Sequence, residues 1–188
     1  MFEFTKQFDL KLFYLINQGL SNPFFDFLMP LFDDPKYWIL PILVFWIITM
    51  VKDRSNRYKL LILVPVVVIL CDQTGAFIKS FELRDRPWFG LGTDVVNHLG
   101  GMGGRHKSFP SNHAANIAGL ATVLSGIYSD RKTIFWIFAF TIMLSRIYIG
   151  VHYPFDVAVG ATLGISFGLL LVFLWSKITN SGGYHPES

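Results

Sequence analysis

Charge is scarce in this sequence: Asp, Glu, Lys and Arg make up 15% of its 188 residues, against about 25% in soluble domains. That shortage excludes an ordinary water-soluble domain. Hydrophobic residues reach 52%, aromatic residues 16% and mean hydropathy +0.45, so the missing polar surface is expected to be replaced by lipid contact. The one cysteine, Cys71, lies in an apolar run; it cannot form an internal disulfide, reads as core filler and says nothing of redox compartment. Repeats and low-complexity tracts are lacking, which excludes collagen-like and disordered chains. The N-terminal stretch has an acidic Glu3, no basic region ahead of an apolar core and no small-residue cleavage site, and is not expected to be a cleavable signal. Basic residues exceed acidic ones by 16 to 13, but they are dispersed. No basic stripe interleaved with aromatics is present, which excludes a nucleic-acid partner.

What is present is a series of apolar blocks. A bilayer core is crossed by about 20 residues whose backbone groups are satisfied within the segment, which means helices. Residues 157–176 carry no charge, residues 37–51 are charge-free between Lys36 and Lys52, and residues 60–78 carry Asp72 alone. Residues 114–129 are rich in small side chains, and residues 133–151 contain Arg146. The block 12–32 contains Asn17, Gln18, Asn22 and Asp26, and reads either as a span or as an interfacial amphipathic helix. The expectation is an all-α integral membrane bundle of six transmembrane helices forming one domain over residues 1–188, with a loose polar tail from residue 180. Gly160, Gly164 and Gly168, and likewise Ala118, Thr122 and Gly126, recur every four residues, giving smooth faces for close helix approach. Lys52, Arg54, Arg57, Lys59, Arg131 and Lys132 favour the cytoplasmic side for two loops. Both termini are then cytoplasmic. The glycine-rich loop, roughly residues 80–110, faces the periplasm although Arg84, Arg86, Arg105 and Lys107 lie in it.

Ionisable groups at membrane depth are costly and point to function. Those adjoining the exterior helix ends are Lys79, Arg86, His113, Arg146, His152 and Asp156. Three cations and two imidazoles at one face suit an anionic phosphoryl group. Pro154 suits a first helical turn and would hold Asp156 within reach of the His152 ring. An imidazole supported at Nδ1 by a carboxylate presents a more basic Nε2, an activated nucleophile; the alternative is a histidine packed on a helix start. Ser111 or Asn112 can cap the next helix, whose free N–H groups attract an anion, with His113 in its first turn. Arg146 requires an acceptor, either an anionic ligand or a structural partner such as Asp156 or Asp72. Asp72 reads as structural. His98, His106 and His185 lie in loop or tail and are expected to be solvated.

Together these residues resemble the type 2 phosphatidic acid phosphatase family, whose pattern is K-x6-R-P, then P-S-G-H, then S-R-x5-H-x3-D. The chain has Lys79 with Arg86-Pro87, Pro110-Ser111-Asn112-His113, and Ser145-Arg146 with His152 and Asp156. Asn112 stands where the family has glycine; asparagine tolerates unusual backbone angles and adds an amide donor. The resemblance implies a phosphatase without metal or other cofactor. His152 would attack phosphorus, Asp156 would orient it, and His113 would protonate the leaving oxygen and then activate water. Lys79, Arg86, Ser111, Asn112 and Arg146 would hold the phosphate. The implied partners are the lipid bilayer and a phosphorylated lipid, with the enzyme in the bacterial inner membrane and its active site facing the periplasm. The short helical form most resembles the lipid A 1-phosphatase group; phosphatidylglycerophosphate and undecaprenyl diphosphate are alternative substrates. A non-enzymatic anion or proton-coupled transporter is the rival from a different class.

Overall fold

The computed structural model describes residues 2–33, 37 and 39–181. Helices account for the regular structure: α1 (Phe2–Asn17), α2 (Pro23–Leu28) with a 3₁₀ turn over Met29–Phe32, α3 (Ile39–Lys52), α4 (Arg57–Lys79), α5 (Pro87–Gly90), α6 (Asn112–Ile127), α7 (Lys132–Tyr148) and α8 (Pro154–Ser181). Extended pairing among the described residues is confined to an isolated bridge between Arg84 and Lys107. The apolar blocks at 37–51, 60–78, 114–129, 133–151 and 157–176 correspond to α3, α4, α6, α7 and α8. Helices α4 and α8 are long and apolar enough to cross a bilayer, while α3 is apolar but shorter. Large apolar side chains such as Phe45, Phe140 and Phe173 remain exposed on three different helices, as lipid-facing residues do.

The block 12–32 is not one helix. Asn22 breaks it: its side-chain oxygen accepts the N–H groups of Phe24 and Phe25, both at 3.1 Å, and Pro23 starts α2. These are a cap and an N1 proline, which restart a helix. The helix before the break begins at Phe2, well ahead of the apolar block, and ends at Asn17. Asp9, Phe13 and Asn17, four apart, are all buried and lie on one helical face. Asn17 satisfies its amide completely: Nδ2 donates to the carbonyls of Tyr148 (2.7 Å) and Asn97 (2.8 Å), and Oδ1 accepts the Asn97 N–H at 3.0 Å. The Asn17 amide can therefore sit at zero exposure without penalty.

Helices α6 and α8 form the centre, with α4 and α7 on either side. The expected small-residue rows are the contact. A β-carbon at Gly160 would collide with the Ser111 carbonyl, one at Gly164 with the Ala115 carbonyl, and one at Gly168 would lie 2.7 Å from Thr122 Cβ. Backbone cannot retreat as a flexible side chain can, so Gly164→Val is expected to destabilise the protein by at least about 1–3 kcal/mol. Thermal unfolding in detergent reads this directly; an unchanged midpoint would refute the close α6–α8 approach. At the opposite end, the Tyr128 hydroxyl donates to Asp53 at 2.7 Å, joining the two loops that carry the clustered basic residues onto one face.

Candidate active site

Two helix boundaries bring the central residues together. Helix α7 ends at Tyr148, and Gly150 follows with φ +74°, a left-handed conformation that glycine adopts without steric cost. The reversal returns the His152 N–H to the Arg146 carbonyl at 3.2 Å, which seats the imidazole against the helix that carries the guanidinium. Pro154 then opens α8, and the Tyr153 N–H donates to Asp156 Oδ2 at 2.9 Å, capping the first turn. The second boundary is the start of α6, where Ser111 is the N-cap and accepts the Ala114 N–H at 3.4 Å. The Ser111 N–H donates to the Asp156 carbonyl at 3.0 Å, so the two helix starts are tied directly.

Asp156 is fully buried and engaged on both oxygens. Arg84 Nη1 donates to Oδ1 at 3.0 Å, while Oδ2 accepts the Ser108 hydroxyl at 2.6 Å. His152 Nδ1 lies 3.8 Å from Oδ2, beyond hydrogen-bond reach, and has no other partner among the described residues. The carboxylate thus faces the ring, with Ser108 taking the intervening oxygen. Burial pushes the His152 imidazole well below its ordinary value, the Asp156 carboxylate opposing, and the nearby Arg86 and Lys79 charges push the same way as burial. Burial thus favours the neutral ring, which carries an electron pair for attack.

Arg84 and Asp9 were not among the residues singled out from sequence. Arg84 bridges Asp156 and Asp9, the latter at 2.5 Å, and stacks on Tyr153 with its guanidinium carbon 3.8 Å from the ring centre. Burial disfavours its charge, but the two carboxylates prevail and hold Arg84 above its ordinary value. Asp9 Oδ1 also accepts the Phe155 N–H at 2.9 Å. Through this chain α1 supports the start of α8.

Arg146 is 1% exposed. Its partner is Asp33, at 2.5 Å from Nη2, and neither Asp156 nor Asp72. Asp33 also accepts the Gly101 N–H at 2.9 Å, which pins the glycine-rich loop. Burial opposes its charge, yet Arg146 and that N–H outweigh burial and hold the Asp33 carboxyl below its usual range. Nε and Nη1 of Arg146 remain enclosed without partners among the described residues, two donors on different edges of the guanidinium that are free to meet anionic oxygens.

The remaining cations are anchored by loop backbone. Lys79 Nζ donates to the carbonyls of Lys107 (3.2 Å), Ser108 (3.4 Å) and Pro110. Arg86 Nε donates to the Gly104 carbonyl at 3.1 Å, and its own N–H to Arg105 at 2.8 Å. His113, in the first turn of α6, is exposed and lines a large cavity together with Asp33. Asn112 points elsewhere. Its Nδ2 donates to Asp72 Oδ1 at 3.3 Å, and its carbonyl lies over Gly75, where a β-carbon would collide with it. Its amide is thus engaged with α4, while its backbone belongs to the helix start. His98 is a correction to the expectation of a solvated ring: both nitrogens are enclosed and the ring packs on Trp88 at 5.4 Å. His106 is exposed beside Asp85, 2.5 Å away. His185 lies outside the described residues.

The chain is similar to a lipid A 4′-phosphatase of Bacteroides thetaiotaomicron, 31% identical over 186 residues, covering 95% of this chain and 82% of that protein. Among solved structures, LpxE of Aquifex aeolicus aligns with a TM-score of 0.70 at 32% identity over 87% of this chain and 93% of that one. A transmembrane PAP2-type phosphatidylglycerolphosphate phosphatase of Bacillus subtilis shares the fold, with a TM-score of 0.71 at 23% identity, covering 93% and 87% of the two chains. The PAP2 superfamily pattern matches residues 60–180, a stretch that holds both helix starts, both imidazoles and the buried guanidinium, and the protein belongs to that superfamily.

Proposed function

We propose that this protein is an integral membrane lipid phosphatase that cleaves phosphate esters of lipid A through a phosphohistidine. The observation that carries the reading is the pair of enclosed, unpartnered donors on Arg146, whose own carbonyl accepts the N–H of the buried His152. A trigonal phosphoryl group gathers negative charge on its equatorial oxygens during transfer. Arg146, Lys79, Arg86, the Ser111 hydroxyl and the first-turn N–H groups of α6 supply positive potential for that charge. His152 Nε2 attacks phosphorus as the bond to the lipid oxygen breaks, and His113 gives its proton to that oxygen. The imidazole of His113 then takes a proton from water, whose oxygen attacks the phosphohistidine and releases inorganic phosphate and free His152. Asp156 stabilises the charge that His152 acquires, with Arg84 and Ser108 holding the carboxylate in place.

We further propose five spans, α3, α4, α6, α7 and α8, in place of the six expected from sequence: α1 and α2 lie along the active-site face, where Asp9 accepts the Phe155 N–H at the start of α8 and Asn17 donates to the Tyr148 carbonyl at the end of α7. Helices α6 and α7, of 16 and 17 residues, are ~24–26 Å long at 1.5 Å per residue and complete the crossing with their flanking turns. The basic loops joined by Tyr128 and Asp53 lie in the cytoplasm with the C-terminal end of α8, and the site faces the periplasm together with α1, whose Asp9 and Lys6 adjoin Arg84, a correction to the expectation that both termini are cytoplasmic. A pocket at helix ends lies at the depth of lipid headgroups, so the substrate enters from the bilayer of the bacterial inner membrane.

The test is release of inorganic phosphate by purified protein in detergent from lipid A phosphorylated at the 1-position and, separately, at the 4′-position. Sequence alone favoured the 1-phosphate, while the Bacteroides relative is a 4′-phosphatase, so the paired assay assigns the position. EDTA is expected to leave the rate unchanged because side chains supply the charge, and vanadate, a trigonal-bipyramidal mimic, is expected to inhibit. A rate abolished by EDTA and restored by Mg²⁺ would overturn the mechanism.

A further inference from the structure

A cavity of about 1600 Å³ runs between α3, α4, α6 and α7. Asp33 and His113 line it at the active-site end, and Asp53 and Tyr128 at the opposite end. Helix α3 buries none of its own residues and is fastened to α4 where Trp46 Nε1 donates to the Leu60 carbonyl at 3.1 Å. Between these polar ends the walls are apolar except for Thr49 and one patch. Asp72 of α4 meets Asn112 and Asn116 of α6, and all three line the cavity. Both amides donate to the same oxygen, Asp72 Oδ1, at 3.3 Å and 2.9 Å.

The consequence is an excess of acceptors. Asp72 Oδ2 accepts no hydrogen bond from the described residues, and the Asn112 and Asn116 carbonyl oxygens are enclosed without partners. A carboxylate facing an apolar cavity with its outer oxygen free is costly unless a donor meets it. Asn116 lies four residues below Asn112, ~6 Å along α6, and Asp72 lies seven residues before Lys79, ~10 Å along α4. The free oxygen therefore sits one to two turns below the phosphate clamp, where a lipid joins its headgroup to its chains.

We propose that Asp72, held by Asn112 and Asn116, is a specificity site that accepts a hydrogen bond from an N–H or O–H donor on the substrate where its acyl chains begin, with the chains lying in the cavity. The site favours lipids whose chains are joined by amides or carry hydroxyls close to the phosphate, and disfavours those whose linkages are all esters, which have acceptors only. This inference rests on the lipid phosphatase reading and adds a substrate class to it.

Ceramide 1-phosphate, which bears an amide N–H and a hydroxyl near its phosphate, and dioleoyl phosphatidic acid, which bears two esters, form the test pair. Hydrogen bonds to charged groups are worth about 1.5–3 kcal/mol, so the wild type should favour ceramide 1-phosphate in kcat/KM by roughly tenfold or more. Asp72→Asn is the decisive variant. Two amide donors hold its inner atom as oxygen, so its outer atom becomes NH₂, a donor facing a donor. The preference should fall to about one or reverse, with rates on both lipids normalised to p-nitrophenyl phosphate, which has neither chains nor donor and reports the active fraction. Asp72→Leu should lose the preference as well, a second variant in case the first fails to fold. Equal turnover of the two lipids by the wild type, or a preference retained in either variant, would overturn the inference alone. Release of phosphate from neither lipid, nor from lipid A, would overturn the phosphatase reading and the inference with it.

Discussion

His152→Ala is expected to lower phosphate release by at least about 10⁴-fold, as removal of a covalent nucleophile does, while circular dichroism and the unfolding midpoint stay close to wild type. The side chain is 3% exposed, but its Nδ1 makes no hydrogen bond that the substitution would orphan. His113→Ala should cost less, about 10²–10⁴-fold. The loss should shrink further with p-nitrophenyl phosphate, whose leaving oxygen needs no proton. That difference between leaving groups separates the nucleophile from the acid, since a defect in phosphate binding would act on both substrates alike. The pH dependence follows from burial. The His152 imidazole titrates below its ordinary value, so the nucleophile stays unprotonated as pH falls through 6.5, and the acid limb attributable to it lies lower. Substantial turnover by the His152 variant, or failure to trap a base-stable, acid-labile phosphoryl label on the wild-type protein, would refute the covalent route.

Arg146→Leu is expected to abolish binding of vanadate and to lower kcat by about 10²–10³-fold, the usual cost of removing a donor aimed at transition-state charge. It should also destabilise the fold. Removing one partner of a buried ion pair costs about 3–5 kcal/mol; here the loss falls at or below the lower end, because Asp33 is 22% exposed and retains the Gly101 N–H. Arg146→Lys keeps the charge but gathers its donors on one nitrogen, so it cannot span Asp33 and the anion as the planar guanidinium does, and should not restore turnover. Combining Arg146→Leu with Asp33→Asn should recover part of the lost stability and none of the activity. That split between unfolding midpoint and rate distinguishes a phosphate clamp from a purely structural pair, and recovery of both together would count against the clamp.

Much of the architecture is written in local hydropathy. Five apolar blocks become five helices with ends within a few residues, because a run without charge has few alternatives to a helix in lipid. The glycine and small-residue rows on α6 and α8 meet as their spacing suggests. Helix α1 escaped this reading since Asp9 and Asn17 interrupt the apolar pattern, although both are buried. Their burial depends on Arg84, Phe155, Asn97 and Tyr148, which are distant in sequence, and no local window contains the partner that makes a buried polar group tolerable.

The same distinction holds at the site. Residue type and spacing marked Lys79, Arg86, His113, Arg146, His152 and Asp156, since charge and imidazole beside apolar runs stand out in one dimension. Which group faces which is a matter of packing. Arg146 meets Asp33 across 113 positions, Arg84 reaches Asp156 and Asp9, and Asn112 turns to α4 because Gly75 leaves room for its carbonyl. Composition and periodicity thus set the environment, the helices and the kinds of chemistry available, all of which depend on neighbours along the chain. The pairings that tune those groups, and the acceptor-rich wall of the cavity, arise only when distant segments are brought to within about 3 Å, a range over which hydrogen bonds and ion pairs change from negligible to dominant.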